Sequence, residues 1–160
     1  MAKAGPRAGP GTREQGSGME VSAVRRRVQA AMVSAKAREQ DRKQRSADAT
    51  REYAVFLETV ATPLVQQIAN VLKAEGYAFT VSTPGDTLQI ANDRGRDDFL
   101  ELALDTTLDQ PQVIGRISRS RGSRRLNEER PIKPDASPSA ITEQDVLEFV
   151  AQALEPWLAR

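Results

Sequence analysis

Apolar positions first fall into a helical rhythm at residue 21. Val21, Val24, Val28, Ala31, Met32 and Ala35 recur at spacings of three and four, which places them in one stripe on a helix. Arg25, Arg26 and Arg27 occupy the other faces. The stripe fades over residues 36–46, KAREQDRKQRS, a run of helix formers almost without apolar side chains. Such a run fits an exposed helix or a charged linker. The rhythm resumes at Ala49, and Tyr53, Phe56, Leu57, Val60, Leu64, Ile68, Val71 and Leu72 make the widest stripe in the chain, with Gly76 as its stop. Pro63 lies inside it and takes away one backbone donor. The stripe keeps its phase across Pro63, so the expectation is one helix bent there.

From Tyr77 the period changes to two. Tyr77, Phe79 and Val81 alternate with polar or small residues, and Leu88 with Ile90, Leu100 with Leu102 and Leu104, and Val113 and Ile114 with Ile117 mark three further strands. Thr83-Pro84-Gly85-Asp86 reads as a type II turn with Pro84 and Gly85 central. Residues 92–97 and 106–111 read as loops. Short loops between short strands imply an antiparallel meander with one apolar face. The polar residues 120–138, with three prolines, read as a loop, extended along an edge at 130–133. Thr142 and Asp145 are spaced as a capping box, with Asp in the usual Glu place. Val146, Leu147, Phe149, Val150, Ala153, Leu154, Trp157 and Leu158 then form a last amphipathic stripe, with Pro156 near its end.

The expected fold is therefore α+β: a long interrupted N-terminal helix, a four-stranded antiparallel β-meander, and a C-terminal helix that joins the central helix on one sheet face. Residues 1–18, rich in Gly and Pro, are expected to be a disordered tail. Residues 19–46 form a basic amphipathic arm or linker, and residues 47–160 the globular domain. The expected core is Phe56, Leu57, Val60, Leu64, Ile68, Leu72, Phe79, Val81, Leu88, Ile90, Leu100, Leu102, Leu104, Val113, Ile117, Val146, Phe149, Val150 and Leu154.

Charge changes this picture. The 160 residues hold 23 Lys and Arg against 22 Asp and Glu, for a net +1. The near-zero total hides alternating blocks: +6 over residues 1–50, −5 over 78–111, +5 over 112–134 and −4 over 135–160. The +5 block contains Arg116, Arg119, Arg121, Arg124 and Arg125, a cluster suited to phosphate oxygens. If strands three and four pair around the 106–111 loop, Asp105 falls beside Gln112, Glu101 opposite Arg116 and Asp98 opposite Arg119. The acidic block then neutralises much of the basic one. Arg124 and Arg125 lie beyond that pairing and are expected to be the freest cations.

The chain has no Cys and no His. That excludes disulfides, Cys nucleophiles and every site built on imidazole. No phosphate-binding glycine loop is present. The acidic loop 92–98 lacks the ligand spacing of a calcium loop and has two arginines among its acids. The expectation is a protein that is not an enzyme and takes no cofactor or metal. No apolar run approaches the ~20 residues that span a bilayer, and the first 18 residues lack the apolar stretch of a secretory signal. A cytoplasmic location is the expectation.

The remaining clue is the stripe of Val21, Val24, Val28 and Met32. It either folds back on the domain or meets a partner. The leading expectation is a non-catalytic protein-interaction or adaptor module, with a protein partner or a homodimer formed through this helix. The rival is a nucleic-acid binder that uses Arg25, Arg26 and Arg27 with Arg119, Arg121, Arg124 and Arg125.

Overall fold

The helical rhythm that starts at residue 21 is realised as one α-helix, α1 (Val21–Phe56), in the computed structural model, which describes residues 18–95 and 97–159. Residues 36–46 are helical throughout. Good helix formers carry the chain through a stretch where no apolar face does. The expected tail of residues 1–18 lies, apart from Gly18, outside the described residues. The chain divides into two compact units after Asp41. The first unit holds the basic half of α1. The second, from Arg42 on, holds the sheet and the rest of the helices.

In the second unit the expected interruption at Pro63 occurs one turn early. Leu57–Ala61 forms a π-helical turn, and Thr62 donates its N–H to the Leu57 carbonyl, five residues back. α2 (Thr62–Ala74) then continues with Pro63 in its first turn, where a missing donor costs least. Thr59 Oγ1 donates to the Val55 carbonyl at 2.7 Å in the same region. The extra residue in the π turn shifts the phase of the stripe. Ala61, Val65, Ala69 and Leu72 are the buried residues of this segment, while Leu64 and Ile68 are half-buried and Val71 is 63% exposed. The phase was expected to hold across Pro63; it slips by one position.

The sheet is an antiparallel meander in the order β1-β2-β3-β4-β5. Its strands are β1 (Phe79–Ser82), β2 (Leu88–Asn92), β3 (Phe99–Asp105), β4 (Gln112–Arg121) and β5 (Arg124–Pro131). Four strands were expected, and the fifth comes from residues read as a loop. Gly122, at φ +62°, opens the two-residue connection between β4 and β5, a position that type II′ hairpin turns reserve for glycine. The β1–β2 turn also sits one residue later than expected. Thr87 donates its N–H to the Pro84 carbonyl, so Gly85 and Asp86 are central. The register of β3 with β4 is the expected one, with Asp105 opposite Gln112 and Glu101 opposite Arg116.

One sheet face presents Leu88, Ile90, Leu100, Leu102, Val113 and Ile117 to the helices. α3 (Glu143–Leu158) covers it with Val146, Phe149, Val150, Leu154 and Trp157. Its start is the expected capping box: Thr142 Oγ1 accepts from Asp145 N–H at 3.2 Å, and Asp145 Oδ2 accepts from Thr142 N–H at 2.9 Å. Pro156 lies inside the helix, which runs on to Leu158. Every residue expected in the core is buried there or packs half-buried against it. Ile132 and Ala136 join them from the segment read as a loop, and Ile141 from just beyond it.

Gly115 of β4 lets α3 come close. A Cβ built there would lie 2.3 Å from Phe149, well inside contact distance. The Arg130 guanidinium covers the same ring, 4.9 Å from its centroid. Tyr53 fixes the end of α1 to the sheet, its hydroxyl donating to the carbonyls of Asp86 (2.8 Å) and Leu102 (3.2 Å). Burial pushes that phenol's pKa up.

Candidate interaction surfaces

The predicted partner residues lie on two separate elements. On α1, Val21, Val24, Val28 and Met32 are all exposed, from 45% for Val24 to 73% for Val21. Val33 adds a further exposed apolar side chain, off the main stripe. Helical periodicity puts Arg25 and Arg27 on the two flanks of the stripe and Arg26 opposite it, and all three are exposed. Positions 21, 24, 28, 31 and 35 have the spacing of a coiled-coil seam. Arg38, Arg42 and Arg45 take the next seam positions, so the apolar part lasts about two heptads.

On the sheet, the arginine cluster is divided by its partners. Arg116 lies between Glu129 (3.1 Å) and Glu101 (3.3 Å), a ladder across three strands. Glu129 first, and Glu101 with it, hold the guanidinium pKa above its usual value. Arg125 was expected to be free and is the most engaged of the cluster. It donates to the Asp97 carbonyl at 2.8 Å, to Ser118 Oγ at 2.8 Å and to Ser120 Oγ at 3.0 Å, and lies 3.6 Å from the Asp98 carboxylate. The cause is the unforeseen fifth strand, whose register sets Ser120 opposite Arg125.

Asp98 is the buried centre of this corner, 3% exposed. The register continues to its expected place opposite Arg119, but its carboxylate does not pair with that arginine. Instead Oδ1 accepts from Ser120 N–H at 2.9 Å and from Ser120 Oγ at 3.2 Å, and Oδ2 accepts from Trp157 Nε1 at 3.1 Å. The carboxylate thus ties β3, β4 and α3 together. Among the described residues Arg119, Arg121 and Arg124 make no ion pair, so three of the five cluster arginines remain for an acidic partner. Gly122-Ser123 between two arginines was the legible signal for this hairpin.

A third surface was not foreseen. α2 and α3 leave an open apolar groove of about 620 Å³ on their outer side. Leu64, Ile68 and Val71 line one wall and Leu147, Ala151 and Leu158 the other, with Leu72 and Leu154 as the floor. The π turn creates it by rotating Leu64, Ile68 and Val71 off the sheet. Across Ala151 the groove borders an acidic flank with Glu148 and Glu155, which faces a polar cleft of about 430 Å³ beside Arg130.

Among the described residues no three acidic side chains gather as a metal site would need. The helical run Val21–Ala74 contains a stretch long and apolar enough, by composition alone, to cross a bilayer. Of that stretch 28% is buried in the protein, Ala61, Val65, Ala69 and Leu72 included. No family model, curated protein or solved structure matches the chain.

Proposed function

We propose that the protein is a non-catalytic interaction module that self-associates through its N-terminal helix. The observation that carries this reading is the exposed stripe of Val21, Val24, Val28 and Met32 on α1. A stripe at helical spacing that faces water is a helix waiting for a partner surface. The absence of His and Cys from the chain supports the non-catalytic part. The test is mass measurement by light scattering across protein concentration, for the wild-type chain and for Val24→Glu/Val28→Glu. Both sites are exposed, so the variant keeps its fold, which circular dichroism checks. The wild type is expected to self-associate and the variant to stay monomeric at the same concentrations. A wild type that is monomeric throughout, or a variant that associates as well as the wild type, overturns the reading.

A second reading has its own observation, the three arginines at the β4–β5 tip that have no acidic partner among the described residues. Three phosphate contacts predict a log–log salt slope of about −3 for nucleic-acid binding. Binding that ignores salt, or no binding at low salt, removes it.

A further inference from the structure

We infer that the groove between α2 and α3 is the receptor for the N-terminal helix of a second copy of this chain. The inference rests on the reading of α1 as a self-associating helix and names the surface it meets.

Three observations point to this occupant. The first is the shortness of the seam on α1. Two heptads of Val, Ala and Met interrupted by Arg38 make a marginal coiled coil with another α1. The stripe therefore gains most from a surface that is already apolar and preformed. The second is fit. From Val21 to Met32 the stripe extends about 17 Å at 1.5 Å per residue. The α3 wall of the groove, from Leu147 to Leu158, has the same twelve-residue length, and a third helix laid along two packed helices is ordinary helix–helix packing.

The third is charge. Residues 1–41 carry eight basic and four acidic side chains, whereas residues 42–160 carry fifteen basic and eighteen acidic. The asymmetry is local as well. α3 holds Glu143, Asp145, Glu148 and Glu155 and no Lys or Arg. With the stripe in the groove, an arginine on its flank, Arg25 or Arg27, falls along the Glu148–Glu155 side. Opposite charges at such a rim select orientation and speed association more than they add affinity.

Complementation between two variants tests this. Val24→Glu/Val28→Glu spoils the helix and leaves the groove intact; Val71→Glu/Leu147→Glu spoils the groove and leaves the helix intact. Val71 and Leu147 are 63% and 38% exposed, so acids are tolerated there. Glu148→Arg/Glu155→Arg is a further groove-side variant that touches no apolar residue. The Val71→Glu/Leu147→Glu variant is expected to self-associate at least about ten-fold more weakly than the wild type, and the charge reversal to weaken association at low salt in the same direction. An equimolar mixture of the helix variant and the groove variant is expected to form mixed oligomers, because one supplies an intact groove and the other an intact helix.

A groove variant that associates like the wild type while the helix variant does not would leave self-association standing and sink the groove as its receptor; so would a mixture that stays dissociated. Association lost in the groove variant but kept in the helix variant overturns α1 as the occupant. Loss in neither variant overturns both readings.

Discussion

At the scale of single residues, position in the sheet separates arginines that look alike in sequence. Arg124 and Arg125 are neighbours at the β4–β5 tip. Arg124 points to no acid among the described residues, whereas Arg125 binds Ser118, Ser120 and the Asp97 carbonyl beside buried Asp98. Arg124→Ala is therefore expected to change stability by no more than about 0.5 kcal/mol and Arg125→Ala to cost about 1 kcal/mol. Asp98→Ala strips acceptors from Ser120 and Trp157 in a buried corner and is expected to cost about 3 kcal/mol. Urea denaturation of the three variants checks the order. Asp145 supplies a pH test. The Thr142 backbone N–H first, with Thr142 Oγ1 and Lys133 adding to it, holds the Asp145 carboxyl below its usual pKa. A depressed folded pKa gives stability that is present above the unfolded value of about 4 and is lost as pH falls through the folded one. The melting temperature of the wild type is expected to exceed that of Asp145→Asn at pH 7. The gap should narrow as pH falls below about 4 toward the lower, folded value; a gap that stays constant or widens over that fall refutes the assignment.

At the scale of elements, the close approach of α3 to β4 depends on Gly115. Its φ is not left-handed; the need is for space, since a Cβ would enter the Phe149 ring. Gly115→Ala is expected to cost about 1–3 kcal/mol through overpacking. Phe149→Leu in the same chain should return part of that loss, measured as a double-mutant cycle, and additive losses would show that the two do not touch. The elements themselves were largely legible. Period-two alternation located β1 to β4, and pairing around the 106–111 loop gave the register of β3 with β4, with Glu101 opposite Arg116. β5 escaped because an edge strand with one exposed face has little apolar pattern to display: Arg124 to Arg130 has Leu126 as its single aliphatic. The groove escaped for a different reason. Hydrophobic spacing assumes 3.6 residues per turn, and a π turn ahead of Pro63 breaks that assumption without altering any residue type. The α1 stripe was legible as helical periodicity, whereas the sequence left open whether it folds back on the domain; its four residues are exposed in the structure. The free and the bound arginines were not distinguishable, since Arg125 itself lies on the unforeseen β5, whose register brings it to Ser118, Ser120 and Asp98.

At the scale of the whole molecule, the buried core lies entirely after Arg42 among the described residues. The described residues before Arg42 bury no side chain, and the first buried residue of α1 is Ala49. Beyond it, Tyr53 and Phe56 are 4% and 3% exposed and pack in the central cluster. Arg45 also donates to the Asp109 carbonyl at 3.1 Å. A chain that starts at Arg42 therefore keeps every core contact, while one that starts at Leu57 loses two large aromatics. Removing such residues costs about 3–5 kcal/mol each, against a total stability of about 5–15 kcal/mol for an ordinary domain. The chain beginning at Arg42 is expected to unfold in one cooperative transition within a few degrees of the full-length protein at low concentration. The chain beginning at Leu57 is expected to show no cooperative transition. Calorimetry on the two truncations reads both. A large drop in the melting temperature of the longer one would mean that residues before Arg42 stabilise the fold, which would also remove the ground for treating their apolar stripe as surface reserved for a second copy.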